Sequence, residues 1–452
     1  MQEFEKIKHN IQQNSKFLYD ILDTVTGHSR QNQQEKLHAW SEAASALRES
    51  LKQSGLIKKI EYRGKGFWDT FDGKRRLSFI DGGSLGVNMP TADPMAIRTS
   101  AYVVNPGDTN RSSRENFSME VKLIADLFHP KNPIFDDEYE DHGTLKQAAR
   151  IIAEISTAER IILNQQDKSE YKNMDSIYLH GPLVSPAGRY SDVRSSDPNA
   201  DMFPRLRQEV YGKLIPHIES KTVDNYKRHF IPSYLEILKF IKDSSVPVYG
   251  IVERLTSKRS PGFFTEFLIK HAEENLNAMS KHAGDEILQV LGEYNFSDPI
   301  LYDFILFAGE YIEPIRVNRQ LPDRGWPELW RNTIKQFPHP YSTFMKINDF
   351  SSPLRIEWMN SSDRTTKDLT FIFHDARMLA NYAFPLGLYI ADKLAKIPMY
   401  LSKSIQNACA VDAVNIAGKI ENEQAYSFAR KLAYSQQGAM PGRSYYGRPS
   451  AY

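Results

Sequence analysis

The chain has 452 residues, of which 41% are hydrophobic and 25% charged, and its formal net charge is +1 at pH 7. At ~150 residues per domain, this length predicts two or three domains or one large domain with insertions. The balanced charge excludes a strongly basic protein, so any nucleic-acid surface must be a local patch. The single cysteine, Cys409, excludes a disulfide framework within the chain. With no apolar signal core and no stretch near the ~20 apolar residues of a membrane span, we expect a cytoplasmic protein that has no membrane contact.

The chain begins with a predicted helical arm over residues 1–55, where apolar residues recur at near 3.6-residue spacing. From residue 56 onward, apolar runs that end in turns predict strands, and these alternate with stretches of helical period. The strand candidates are "RRLSFIDGG", "IRTSAYVVN", "DSIYLHGPLV", "VPVYGIVERL", "STFMKIN" and "PLRIEWM"; the helix candidates are "NFSMEVKLIADLF", "TLKQAARIIAEISTAERIIL" and "SYLEILKFIKD". This alternation predicts an α/β layer structure over 56–400, with a helix-rich insertion at 254–340 and C-terminal helices and a mobile tail over 401–452.

The stretch "LSFIDGGSLG" ends an apolar run on one carboxylate, Asp81, followed by two glycines. A carboxylate at the carboxyl end of a strand lies where open α/β sheets bind ligands, and glycines allow a close approach of another group. Asp81 therefore either coordinates a hard divalent cation or caps the next turn.

Three further side chains could join Asp81. His180 ends the strand candidate "SIYLH" just before a glycine, although a lone histidine is more often structural. Glu154 lies beside the apolar stripe of its predicted helix and could either face inward as a ligand or pair with Arg150 or Arg160; Glu159 lies about 140° around the same helix. Asp392 lies next to another apolar stripe and could instead form a surface ion pair with Lys396, four residues later.

Together these residues indicate phosphodiester chemistry. Two-metal cleavage needs carboxylates that converge from several elements, with the ions ~3.5–4 Å apart. The sequence has no GxxxxGK[ST], HExxH or GxSxG motif that would favour another mechanism. Carboxylates with one imidazole suit Mn²⁺ or Mg²⁺ better than zinc.

The motifs "LSFIDGGSLGV…MAIRTSAYVV", "DSIYLHGPLV", "VPVYGIVERLTSKR", "STFMKIN…SPLRIEWM" and "FPLGLYIADKLAKIP" occur in the order and spacing of the NurA nuclease family, and this resemblance covers roughly residues 60–400. The resemblance implies an RNase H-like fold, with a mixed central sheet flanked by helices. It also implies a Mn²⁺-dependent DNA nuclease that trims 5′ ends and cuts single strands. Such enzymes act as homodimers on HerA, a hexameric ATPase and translocase, so the resemblance implies a role in break repair or antiviral defence.

The resemblance also implies site residues. Asp81 matches the family's first strand-end aspartate, and Glu154, with Glu159 as the alternate, matches its helix glutamate. The family's Asp-Gly-x-Leu becomes His180-Gly-Pro-Leu here, and its Tyr-Pro followed by histidine becomes Phe384-Pro followed by Asp392. Either the imidazole and the carboxylate have exchanged places, which keeps three carboxylates and one histidine, or the site has decayed.

The sequence thus predicts that Asp81, Glu154, His180 and Asp392 hold one or two Mn²⁺ or Mg²⁺ ions. Basic side chains would position DNA through its phosphates, and the candidates are Arg98, Arg111, Arg114, Arg254, Lys258 and Arg259. The competing hypotheses are a catalytically inactive structural or regulatory subunit of the translocase complex, and an RNase H-like enzyme that acts on RNA or hybrids.

Overall fold

The structure is a computed structural model that describes residues 41–86, 95–124, 139–164, 171–185, 230–253, 263–276, 281–293, 297–318, 328–360, 365–379 and 382–398, with a few isolated residues elsewhere. Most of the predicted arm 1–55, nearly all of the predicted C-terminal segment 401–452, and the candidates Arg254, Lys258 and Arg259 lie outside these ranges.

The strands are β1 (Ile57–Lys59), β2 (Arg76–Gly86), β3 (Met95–Val104), β4 (Glu115–Ile124), β5 (Met174–His180), β6 (Val248–Val252), β7 (Glu310–Ile312), β8 (Ile315–Arg316), β9 (Tyr341–Met345) and β10 (Leu354–Trp358). The helices are α1 (41–53), α2 (Lys65–Trp68), α3 (Arg111–Arg114), α4 (Tyr139–Leu163), α5 (Phe230–Asp243), α6 (Phe263–Leu276), α7 (Lys281–Glu293), α8 (Asp298–Ile305), α9 (Glu328–Ile334), α10 (Thr365–Arg377) and α11 (Leu386–Ala395).

The chain divides into two compact units. Unit 1 comprises Met1–Ile60, Arg254–Ile315 and Thr343–Pro353, and unit 2 comprises Glu61–Glu253, Arg316–Ser342 and Leu354–Tyr452. Helices α6 to α9 fall within the predicted insertion 254–340, and α9 belongs to unit 2. The domain boundaries drawn from the sequence stay a prediction.

Unit 2 is built on a mixed sheet in the order β10-β6-β5-β2-β3-β4. Strand β3 pairs antiparallel with both β2 and β4, whereas β5 pairs parallel with β2 and β6 pairs parallel with β5. When β2 to β6 are numbered 1 to 5 along the chain, their spatial order from β4 to β6 is 3-2-1-4-5. This is the arrangement of the RNase H-like fold. The predicted fold class, a mixed central sheet flanked by helices, is therefore confirmed.

The two faces of this sheet are covered by different helices. Helix α4 contacts β2, β3 and β5, and its buried stripe joins an apolar core with α5. Helix α11 also contacts β2, β3 and β5. Because side chains alternate along a strand, neighbouring residues of β2 point towards different helices.

Two local predictions are wrong. The segment "NFSMEVKLIADLF" begins with strand β4 rather than a helix, because Phe117, Met119 and Val121 alternate with polar residues at period two. Strand β2 does not end at Asp81, because it continues along β3 as far as Gly86. Its parallel ladder with β5, however, ends at Ile80, so Asp81 lies just beyond the part of β2 that is paired on both sides.

In unit 1, buried charges are compensated in pairs. Arg48 Nη1 lies 2.7 Å from Glu310 Oε2, and Lys346 is paired with Asp303. Asp298 accepts hydrogen bonds from the backbone of Phe264 and Thr265 at the start of α6. These carboxylates therefore have structural roles. Among the described helices, none combines the length and the apolar character that crossing a membrane requires.

Candidate metal centre

Asp81 lies on the α11 face of the sheet. It pairs with Ser100 on β3, and its carboxylate is buried. Its Oδ1 accepts a hydrogen bond of 2.7 Å from the backbone N–H of Gly82, and its Oδ2 lies 3.0 Å from His180 Nδ1. The carboxylate is thus held in one orientation by a backbone donor and an imidazole.

His180 is the last residue of β5 and lies on the same face as Asp81. Its second nitrogen, Nε2, lies 4.0 Å from Glu253 Oε2, and its ring centroid lies 4.9 Å from that of the buried Phe384. Burial by itself lowers the pKa of His180, but the hydrogen bond and charge of Asp81, together with Glu154 and Glu253, raise that pKa above its ordinary value. The imidazole therefore lies in a strongly negative environment.

Asp392 reaches the same place from α11. One ligand atom each from Asp81, His180 and Asp392 lies within 4.8 Å of the others, which is close enough for one cation to contact all three. The other predicted partner of Asp392 is also present, since Lys396 Nζ lies 2.6 Å from Asp392 Oδ2. The ion pair with Lys396 is therefore present on a carboxylate that also faces the cluster, and the role of Asp392 as a metal ligand stays a prediction.

Helix α11 is fixed over the sheet by side chains of β3. Ser100 Oγ donates a 2.7 Å hydrogen bond to the carbonyl of Ala391, and Arg98 Nη1 donates one of 3.0 Å to the carbonyl of Leu394. A side chain at Gly83 would collide with the backbone of Ala395, and one at Gly387 would collide with the ring of Phe79. These glycines allow the close packing that brings Asp392 to Asp81.

Glu154 lies on the other face of β2. A Cβ added to Gly82 would lie 2.5 Å from Glu154 Oε1, so this glycine gives the carboxylate its space. Arg150 pairs with Glu154 and also donates to the carbonyl of Gly82. Burial, only partly offset by Arg150, raises the pKa of Glu154 to about 7, and the charge of Asp81 adds to this shift. Glu154 is thus coupled electrostatically to the cluster but lies outside the group of three.

Two acidic residues of this region escaped the sequence analysis. Glu253 directly follows β6, the parallel neighbour of β5, so the strand-end argument used for His180 applied to it as well. Asp375, on α10, accepts a hydrogen bond of 3.2 Å from the backbone N–H of Gly387 at the start of α11. Burial raises the pKa of Asp375 to about 7. No local pattern marks Asp375, because its role depends on how α10 and α11 pack.

Two of the arginines predicted to bind DNA, Arg98 and Arg114, have other contacts here. Arg98 holds α11, and Arg114 Nε lies 3.0 Å from Glu115 Oε1. Arg111 and Arg114 are the first and last residues of α3, which follows β3. The last residue of β3 pairs with Leu77, near the start of β2, and the first residue of β3 pairs with Gly86, at the end of β2. Both arginines therefore follow the end of β3 that lies beside the start of β2. Their binding to DNA stays a prediction.

Comparisons with known proteins gave structural matches only: no family model matches the chain, and no curated protein matches its sequence. The chain is similar over most of its length to solved structures of NurA. The NurA nuclease from Sulfolobus solfataricus matches at a TM-score of 0.46 and 12% identity, covering 89% of this chain and 98% of that one. NurA bound to dAMP and manganese matches at 0.38 and 13%, covering 92% and 98%, and NurA with manganese at 0.37 and 11%, covering 80% and 95%. Because these TM-scores are low, the fold assignment rests on the strand order of the sheet and not on the similarity to these structures.

Proposed function

We propose that this chain is a divalent-metal-dependent DNA nuclease, a phosphodiester hydrolase. The observation that carries the proposal is the convergence of Asp81, His180 and Asp392, whose ligand atoms lie within 4.8 Å of one another. These residues come from two strands and a helix that are far apart in the sequence. Two of the three are carboxylates that face the same place, although Asp392 also pairs with Lys396 and Asp81 with His180.

The residues fit a hard or borderline cation. Two carboxylate oxygens and one imidazole nitrogen are a donor set suited to Mn²⁺ or Mg²⁺. Lys396 already places a positive group on Asp392, which is the charge that an ion would supply. When bound, such an ion lowers the pKa of a water ligand and stabilises charge that develops on a phosphoryl oxygen.

The protein's own groups prepare this site. Asp81 orients the imidazole of His180, and Phe384 covers one side of that ring. Glu154 is the fourth predicted ligand. Because its pKa is raised to about 7, it can hold a proton near neutral pH, behind Gly82 and close to Asp81. The closeness of His180 and Asp392 to Asp81 supports the hypothesis that histidine and aspartate have exchanged places relative to the family, rather than the alternative that the site has decayed.

The wider assignments rest on the sequence motifs. We propose one or two Mn²⁺ or Mg²⁺ ions, 5′-end and single-strand cutting of DNA, a HerA-type hexameric ATPase as partner, and a cytoplasmic role in DNA repair or antiphage defence. The proposed homodimer has a candidate surface on β4, which is one edge of the described sheet. There Phe117, Met119 and Val121 are each about half exposed on one face. Met119→Lys should lower the mass measured by light scattering if a second copy covers this face.

The central test is Asp81→Asn, assayed with Mn²⁺ on 5′-labelled single-stranded DNA. Loss of a ligand carboxylate should cut the rate at least about a hundredfold, since a bound metal supplies several kcal/mol of charge stabilisation. The matched control is Asp72→Asn, because Asp72 is an exposed aspartate in the same unit that pairs only with Lys74. Full activity of Asp81→Asn would remove the cluster from the reaction.

Glu154→Gln in the same assay tests the fourth ligand. Because Arg150 holds Glu154 outside the group of three, we expect a smaller loss than for Asp81→Asn. Equal losses would place Glu154 among the ligands. Competition by RNA and by RNA–DNA hybrids separates the proposed DNA nuclease from an RNase H-like enzyme.

A second candidate function, a non-catalytic subunit, is favoured by one observation. Lys396 and His180 already compensate Asp392 and Asp81 without an ion. Protein that changes the ATPase rate of a HerA-type ring, yet cuts no DNA with any divalent cation, would select this function.

A further inference from the structure

An aromatic and basic surface lies beside the candidate metal centre. Tyr382 is 44% exposed, and its ring meets the ring of Tyr389 edge-to-face at 5.7 Å. Lys393 Nζ lies 4.8 Å from the centre of the Tyr389 ring. We call Tyr382, Tyr389 and Lys393 the aromatic platform.

The platform is tied to the centre through two contacts. The ring of Tyr382 meets Phe384 edge-to-face at 6.3 Å, and Phe384 in turn contacts His180 at 4.9 Å. On the other side, Tyr389 and Lys393 belong to α11, three residues before and one residue after Asp392. A strand whose scissile phosphate lay at the centre would therefore have a neighbouring nucleotide beside Tyr382 and Lys393.

The backbone holds Tyr382 in this exposed position. The N–H groups of Tyr382 and Ala383 both donate 2.9 Å hydrogen bonds to the carbonyl of Leu379. Ala383 is buried and has φ 50°, in the left-handed region that non-glycine residues rarely adopt. This turn directs Tyr382 outward while Phe384 points into the core. Strained backbone of this kind persists where the surrounding structure enforces it, often at functional sites.

We propose that the aromatic platform binds an unpaired nucleotide beside the metal centre, with its base stacked on Tyr382 and its phosphate near Lys393. This inference rests on the proposed nuclease function and adds to it the residues that recognise the strand. Aromatic side chains stack on any base without reading its sequence, and a nearby cation attracts the backbone. A base within a duplex is already paired and stacked, so the platform favours a frayed or single-stranded end.

The test measures binding rather than cleavage. Each variant is made in an Asp81→Asn background with Ca²⁺ present, and fluorescence anisotropy compares oligothymidylate with an abasic strand of equal length. Tyr382→Ala should weaken binding of oligothymidylate roughly 5- to 100-fold, the range that base–aromatic stacking gives on alanine substitution. Binding of the abasic strand should change less than about twofold, because it has no bases to stack.

Two variants make the result specific to the ring. Tyr382→Phe keeps the ring without its hydroxyl and should bind like the parent, which also controls for misfolding. Phe350→Ala removes an aromatic side chain of unit 1 that is 99% exposed and should have no effect. Lys393→Gln should lower the slope of log affinity against log salt by about 0.7, the value for one phosphate contact on a single strand.

The outcomes separate this inference from the proposed function. If wild-type protein cuts DNA but Tyr382→Ala binds both strands as the parent does, the platform is overturned and the nuclease stands. Equal weakening on oligothymidylate and abasic strands also overturns stacking. If the base-dependent loss occurs but wild-type protein cuts nothing with any cation, the platform stands and the nuclease proposal fails.

Discussion

The two faces of strand β2 carry acidic side chains in different ways. On the α4 face, Glu154 is buried against Gly82 and paired with Arg150 from its own helix. On the α11 face, Asp81 and Asp392 converge on one imidazole. A buried carboxylate with its own arginine has its charge compensated within one helix, whereas two carboxylates that converge on one place favour a bound cation. This difference is why we propose that the α11 face is the reactive one.

The largest effect that sharpens this contrast is expected from Asp392→Asn. Loss of this carboxylate should reduce Mn²⁺-dependent cleavage at least about a hundredfold, with little change in stability, because the Asp392 side chain is 25% exposed and its ion pair is with the exposed Lys396. Lys396→Gln is the matched variant on the same helix. It removes the ammonium group that occupies Asp392, so cleavage should reach half its maximum at a lower Mn²⁺ concentration. Unchanged metal dependence in both variants would break the contrast between the faces.

The adjacent glycines of β2 compare the two faces directly. Gly83→Ala places a methyl group against the backbone of Ala395, which cannot move without shifting α11, so we expect a loss of about 2–3 kcal/mol of unfolding free energy. Gly82→Ala meets the Glu154 side chain from Oε1 back to Cγ but no backbone, and a side chain moves more easily than a packed helix, so its cost should be below about 1.5 kcal/mol. Urea unfolding of both variants measures the difference. Equal losses would mean that Glu154 is fixed as firmly as α11.

Much of the fold could be predicted from the sequence because the local signals were strong. The apolar runs predict β2, β3, β5 and β6 and with them an α/β layer structure, whereas the mixed sheet was implied by the family resemblance. Strand β4 was predicted as a helix because its apolar residues fit both the period of a helix and the period of a strand. Pairing with β3 makes the segment a strand.

The candidate site shows the same division between local and long-range information. Asp81 and His180 could be found because each stands where an apolar run meets glycine, and Glu253 could have been found in the same way. Asp375 could not, because a carboxylate that caps α11 from α10 leaves no local trace. The pairing of Glu154 with Arg150 could be predicted as well, because the two residues are four apart on one helix.

Asp375 supports the α11 face through that cap, and pH tests it. Its pKa is raised by burial from 3.8 to about 7, so the folded state keeps a proton that the unfolded state has already lost. Stability should therefore fall as pH rises through the range between those values, by more than about 1 kcal/mol in total. Tyr102 and Tyr178, whose charged forms would interact with Asp375, stay neutral here because burial raises their pKa.

Asp375→Asn keeps an acceptor for the N–H of Gly387 but cannot titrate. In this variant the free energy of unfolding should fall less between about pH 4 and pH 8 than in the wild type, by the contribution of Asp375 given above. Urea unfolding at each pH measures the difference. A wild-type curve with the same slope as that of Asp375→Asn would mean that Asp375 ionises in the folded state as it does in the unfolded chain.

The smallest effect concerns the turn that exposes Tyr382. Because glycine adopts φ 50° without strain, Ala383→Gly should raise the free energy of unfolding by up to about 1 kcal/mol. Asn173→Gly is the matched control: Asn173 has φ 55°, but asparagine tolerates that region, so its gain should be smaller. If the strain serves to hold the aromatic platform, Ala383→Gly should also lose part of the preference for oligothymidylate over the abasic strand, since a freer turn lets Tyr382 move. A more stable Ala383→Gly with its base preference intact would show that the strain follows from packing Phe384 under α11 rather than from binding a strand.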